Sequence, residues 1–128
     1  MMPVVPDMVG IVCKDLNRSL DFYRLLGLDI PEQVSDPAYF EIISNGYRIS
    51  WNTEEMIKSF HPDWQTPQGQ RASIAYLCDS PAEVDAVYQR LVDAGYHGSK
   101  APWDAFWGQR YALILDPDGL QVELFAKL

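Results

Sequence analysis

Apolar residues follow two spacings along this chain, and the same succession of spacings occurs twice. Met8 to Cys13 is a short apolar stretch with β-branched residues, which predicts a strand. Leu16, Leu20, Tyr23 and Leu26 then recur at helical spacing; Asp15 or Asn17 can cap this helix and Gly27 ends it. A weak strand is expected near Glu32 to Val34. Tyr39 to Ile43 and Tyr47 to Asn52 are predicted strands joined through Asn45-Gly46, a dipeptide that enters a tight hairpin turn without strain. The second round starts with a strand from Ser73 to Cys78. Ser80 caps a helix with Pro81 and Glu83 in its first turn and Val84, Val87, Tyr88 and Leu91 on its apolar stripe. A weak strand near Gly98 to Lys100 precedes a last hairpin, Gln109 to Leu115 and Leu120 to Phe125, turning at Asp116-Pro117-Asp118-Gly119.

The two rounds are a repeat. Cys13 and Cys78 lie 65 positions apart, and the same offset pairs Tyr23 with Tyr88 and Leu26 with Leu91. Gly46-Tyr47-Arg48-Ile49-Ser50-Trp51 matches Gly119-Leu120-Gln121-Val122-Glu123-Leu124 at an offset of 73. Strand–helix–strand–strand–strand is therefore expected twice, in halves of about 7–52 and 72–126 within a single domain. Residues 53–71, with Pro62, Pro67 and Gly69, read as the connector.

With 128 residues there is room for one domain, and 48% hydrophobic against 22% charged residues is an ordinary globular balance. The net charge of −8 opposes phosphate backbones and anionic lipid, so neither nucleic acid nor a membrane surface is an expected partner. The N-terminal Met1-Met2-Pro3-Val4-Val5-Pro6-Asp7 lacks the basic head and apolar middle of a secretory leader, and a cytoplasmic location is the default expectation. Two cysteines do not make a disulfide framework. Both fall on helix-facing strand positions, where small buried hydrophobes are expected.

Asp15-Leu16-Asn17-Arg18-Ser19-Leu20-Asp21-Phe22-Tyr23 early and Asp116-Pro117-Asp118-Gly119-Leu120-Gln121-Val122-Glu123-Leu124 late, together with the repeat, resemble the vicinal oxygen chelate superfamily. That group includes glyoxalase I, bleomycin resistance proteins, methylmalonyl-CoA epimerase and extradiol dioxygenases. The resemblance implies an α+β fold: two tandem βαβββ modules forming a curved mixed sheet, as half-barrels, with the helices on the convex face. It also implies a homodimer and a metal held by residues from both halves, one from each first strand and one from each last strand. By the repeat those positions are Met8, Ser73, Ser50 and Glu123. A thioether and two neutral hydroxyls are poor ligands for a divalent cation, so only Glu123 qualifies and no metal or other cofactor is expected. His61 in the connector and His97 after the second helix lie off the sheet faces.

The concave face is expected to hold other chemistry. Alternation sets Met8, Gly10 and Val12 toward the groove, and Gln121, Glu123 and Phe125 away from the core residues Leu120, Val122 and Leu124. Hairpin register adds Arg48, with Ser50 opposite Glu41 and Asn52 opposite Tyr39. Across the last turn, Glu123 is expected beside Ala112, with Arg110 and Ile114 on its side. Trp103, Phe106 and Trp107 place three large aromatics within five residues and resemble the Trp-Gly-x-Arg stretch of bleomycin-resistance-like members; they suit a planar ligand, the barrel end or a dimer contact. Trp51 is expected in the core and Trp64 as a cover over the groove. Glu123 has three open roles: general base, partner of a cationic ligand, or structural partner of Arg110.

The expected activity is metal-independent binding of a planar or amphipathic small molecule, such as an antibiotic or aromatic metabolite. The candidate binding residues are Met8, Tyr39, Arg48, Ser50, Ser73, Trp103, Phe106, Trp107, Arg110, Glu123 and Phe125. The alternatives are a lyase or isomerase with Glu123 as base, and a non-catalytic interaction module whose groove is filled by its own side chains.

Overall fold

Strand alternation with the two long helices on one side of the sheets organises the whole molecule. The structure, a computed structural model, describes residues 3–128; Met1 and Met2, the start of the stretch read for a leader, lie outside them. The elements are β1 (Met8–Cys13), α1 (Leu16–Leu26), β2 (Tyr39–Ser44), β3 (Tyr47–Thr53), α2 (Glu54–Phe60), β4 (Ser73–Leu77), α3 (Pro81–Asp93), β5 (Gly98–Ala105), β6 (Gln109–Leu115) and β7 (Gln121–Lys127). They form an α+β fold with two mixed sheets, ordered β1-β3-β2 and β4-β7-β6-β5. Among the described residues no helix is long and apolar enough to cross a membrane.

The register carries the repeat. In each half the first strand lies parallel beside the last: Gly10 sits opposite Ser50 in one and Ala75 opposite Glu123 in the other. These pairs differ by the offsets of 65 and 73 seen in the sequence. The local signals also explain the helices. Asp15 and Ser80 accept from the backbone N–H groups of Arg18 and Glu83, and Gly27 closes α1 at φ 126°. Asn45 and Gly46, at φ 52° and 76°, make the β2–β3 turn.

Three features depart from the expected pattern. No strand forms near Glu32 to Val34, because Pro31 lacks an N–H to donate and its carbonyl is held by the Arg24 guanidinium at 2.6 Å. The first sheet therefore has three strands and the second four, and the expected single curved sheet is two sheets over one core. The stretch read as connector contains α2, capped by the Thr53 hydroxyl with Glu54 and Glu55 in its first turn. Finally, β5 continues past Lys100 to Ala105 through register shifts on either side of Lys100, so Trp103 belongs to a strand.

One core joins the halves. Leu16, Leu20, Tyr23 and Leu26 of α1 and Val84, Val87 and Leu91 of α3 are buried with Ile11, Cys13, Trp51, Ala112, Ile114, Val122 and Leu124. Each fully buried aliphatic contributes about 1.5–3 kcal/mol relative to exposure. Polar ties cross the same seam. Arg90 of α3 donates to the carbonyl of Leu25 at 2.9 Å, satisfying the C-terminal end of α1. Buried Asp116 accepts from the Tyr23 hydroxyl at 2.8 Å and from the N–H groups of Asp118 and Leu120 at 2.9 Å.

Removing that carboxylate strands three donors, whereas removing the Tyr23 hydroxyl strands one acceptor. Asp116→Ala is expected to cost about 3 kcal/mol and Tyr23→Phe about 1 kcal/mol. The double substitution should cost less than both together. Urea unfolding of the three variants checks this.

Candidate functional site

The face of the second sheet turned away from α3 is set by strand pairing. Trp103 of β5 lies opposite Tyr111 of β6, Tyr111 opposite Phe125 of β7, and Phe125 opposite Leu77 of β4. These four form one apolar row across the sheet. Next to it run Leu113, Glu123 and Ala75, followed by Leu115, Gln121 and Ser73. Tyr111 stacks on Phe125 with centroids 6.0 Å apart, while Trp103 and Trp107 meet Tyr111 edge-on at 5.7 and 5.2 Å. Phe106 packs edge-on against Trp107 but is 97% exposed. Such apolar surface on an open face is unusual without a ligand or partner to cover it.

Glu123 is the carboxylate beside that row. Its Oε1 accepts from the Tyr111 hydroxyl and its Oε2 from the Gln121 amide at 2.8 Å. Burial alone would raise its pKa; hydrogen bonds from Tyr111, Gln121 and Ser73 outweigh that and hold it below the ordinary carboxylate value. Burial, with the adjoining carboxylate, pushes the Tyr111 hydroxyl up to about 12. At neutral pH the pair is a carboxylate and a neutral phenol. Lys100 sets its ammonium over the Trp103 ring at 4.1 Å from the centroid.

The first sheet presents Met8, Arg48 and Ile43 in one row and Gly10, Ser50 and Glu41 in the next, with Val12, Asn52 and Tyr39 beyond. Its charged groups are already paired. Arg48 bonds Glu41 at 3.2 Å and Asp7 at 2.5 Å, and the Tyr39 hydroxyl donates to Glu41 at 2.6 Å. The Tyr39 and Arg48 hydrogen bonds lower the Glu41 pKa. The Ser50 hydroxyl is fully buried and has no hydrogen-bond partner among the described residues. Trp64 lines, with Gly10, Val12, Gln70 and Arg71, a cavity of about 390 Å³ beside β1.

Most of the expected residues therefore reach an open sheet face, but two sequence readings are corrected. Glu123 pairs with Leu113, not Ala112, and Arg110 with Ile114 lies on the helix side of the sheet. Arg110 is bound there by Asp85 of α3 at 2.9 Å and Asp104 at 3.1 Å. The displaced register brings in Tyr111, which sequence reasoning missed. The cause is the turn itself: the Asp116 carboxylate accepts from both Asp118 and Leu120 and draws Leu120 into the loop, leaving Leu115 to pair with Gln121.

The donor set does not fit a divalent cation. Among the described residues no three His, Cys, Asp or Glu side chains come together as ligands. Met8 supplies a thioether, Ser50 a buried hydroxyl and Ser73 a second hydroxyl, while Glu123 is engaged by Tyr111 and Gln121. Both cysteines are held toward the neutral thiol. Burial drives the Cys13 thiol up to about 12 and also raises Cys78.

Residues 5–124 match a family model described as the Glyoxalase/Bleomycin resistance protein/Dioxygenase superfamily. The chain is 26% identical over 131 residues to an uncharacterized protein, YwkD, of Bacillus subtilis (strain 168), covering 91% of this chain and 92% of that one. Among solved structures it is similar to a glyoxalase/bleomycin resistance protein/dioxygenase family enzyme from Burkholderia phytofirmans PsJN, with a TM-score of 0.84 at 20% identity, covering 98% of this chain and all of the other. It is similar also to a superfamily member from Sphaerobacter thermophilus DSM 20745, with a TM-score of 0.70 at 25% identity, covering 99% and 100%.

Tyr111→Phe removes a donor that favours ionised Glu123, so the Glu123 pKa should rise, read by carboxyl-carbon NMR titration. Because its folded pKa is lowered, Glu123 contributes stability present above its unfolded pKa and lost as pH falls through the folded value. Tyr111→Phe should shrink that contribution, giving a shallower loss of stability on the acid side in pH-dependent unfolding.

Proposed function

The chain belongs to the Glyoxalase/Bleomycin resistance protein/Dioxygenase superfamily, and on that premise we propose that it is a metal-independent binding protein for a planar or amphipathic small molecule. The observation carrying this reading is the row of Trp103, Tyr111 and Phe125, flanked by Trp107 and bordered by Glu123. An apolar wall with one oriented polar group is how small-molecule sites are usually built. Rings already held edge-on or stacked against one another lose little freedom when a flat ligand joins them. Antibiotics and aromatic metabolites include compounds of this shape.

A general-base role for Glu123 draws less support. A base in a lyase or isomerase needs a pKa near the working pH, and here the hydrogen bonds of Glu123 lower it. The net charge of −8 supports a small ligand rather than nucleic acid or an anionic membrane, consistent with a cytoplasmic binder. A homodimer is part of the proposal. Leu77 is 72% exposed at the end of the aromatic row, and a second copy would cover it and complete the groove.

Titration with acridine, naphthalene and riboflavin, followed by quenching of tryptophan emission, tests the reading. At least one should bind more tightly than about 1 mM. Trp103→Ala should weaken that binding about three- to tenfold, while Arg110→Ala leaves it unchanged. Failure of all three compounds to bind sinks the proposal.

A further inference from the structure

The two halves carry parallel polar devices, one with a cationic partner and one without. On the first sheet Tyr39 donates to Glu41, and on the second Tyr111 donates to Glu123. Glu41 is neutralised by Arg48 at 3.2 Å. Glu123 has only neutral donors, the Tyr111 and Ser73 hydroxyls and the Gln121 amide, and no ion pair reaches it among the described residues. Arg110 is turned to the other face and held by Asp85 and Asp104. Lys100 sits over Trp103.

From this asymmetry we infer that the ligand of the aromatic face is an organic cation whose positive centre lies between Glu123 and the rings of Trp103, Tyr111 and Phe125. The inference rests on the binding reading above and specifies the ligand class. A flat anion would be repelled by Glu123, with the Lys100 ammonium over Trp103 as its partner on this wall. A neutral ligand would stack on the row but strip water from an unpaired carboxylate, which costs free energy that stacking must offset. A cation removes that cost and gains attraction from the ring faces. An alkylated or delocalised centre suits the face best, because its thin hydration is replaced by aromatic carbon. The Lys100 ammonium over Trp103 shows that this wall holds a positive charge, and places an internal competitor at its edge.

Two probes of nearly equal shape isolate the charge: (4-hydroxyphenyl)trimethylammonium and 4-tert-butylphenol, which differ by a positive nitrogen in place of a carbon. Calorimetry on the intact protein should show the cation binding at least about tenfold more tightly, the size of one partly desolvated charge contact. Glu123→Gln should bring the two within about twofold of each other. Lys100→Met should strengthen cation binding about threefold and more than it changes 4-tert-butylphenol binding; it remains informative should Glu123→Gln fail to fold. Equal or tighter binding of 4-tert-butylphenol overturns the cation inference and leaves the small-molecule reading standing. A cation preference undiminished by Glu123→Gln overturns the assignment to Glu123. Binding of neither probe below about 5 mM overturns the inference, and the reading then stands or falls on the acridine, naphthalene and riboflavin titrations.

Discussion

Everything on the open face depends on one pairing, Leu115 with Gln121 across the last hairpin. Side chains alternate along a strand, so a shift of one residue would exchange the two faces of β6 relative to β7. The buried Asp116 carboxylate sets that pairing by gathering Asp118 and Leu120 into the turn, and the Tyr23 hydroxyl ties the turn to α1. A core interaction between the halves thus decides that Tyr111, and not Arg110, stands beside Glu123. Stability and site chemistry meet at that carboxylate.

The fold was legible because its signals are local and repeated. Helix stripes, the Ser80 and Asp15 caps, Asn45-Gly46 and the two offsets each depend on residues close in sequence, and the register of both parallel pairs agrees with them. What was missed depends on contacts that spacing does not encode. Glu32 to Val34 has strand-like residues, but Pro31 and the Arg24 guanidinium occupy the backbone groups a strand would need. In the candidate site Glu123, Phe125 and Trp103 were visible from alternation and composition. Tyr111 was not, because the loop length after Leu115 is fixed by a side chain accepting backbone hydrogen bonds inside the turn. Arg110 was misplaced for the same reason.

The duplication also explains how the halves differ in chemistry without differing in fold. In both, the helix-facing positions carry the apolar residues that hold the core, among them Ile11 and Trp51 in one and Val122 and Leu124 in the other. Positions on the opposite faces make no demand on that core. Ser50 and Glu123 are equivalent by the repeat, yet one is a buried hydroxyl and the other a carboxylate engaged by a phenol. The same freedom leaves Met8 and Ser73 where metal ligands are implied by the family resemblance. A sheet whose helix side supplies the stability can exchange the residues opposite for another chemistry with the fold intact.

That freedom has a physical cost, visible in how the open faces are treated. The first sheet quenches its charges internally: Arg48 satisfies Glu41 and Asp7, and α2 sets Met56 against the Asn52 amide at 3.4 Å. The second leaves Leu77 and Phe106 uncovered and an unpaired carboxylate beside stacked rings. Hydrocarbon exposed to water and a charge without a counter-charge are both unfavourable, and neither contributes to the packing beneath. The rings of the aromatic row are braced against one another across three strands. On the binding reading we propose, such a surface suits an occupant that supplies apolar contact and positive charge together.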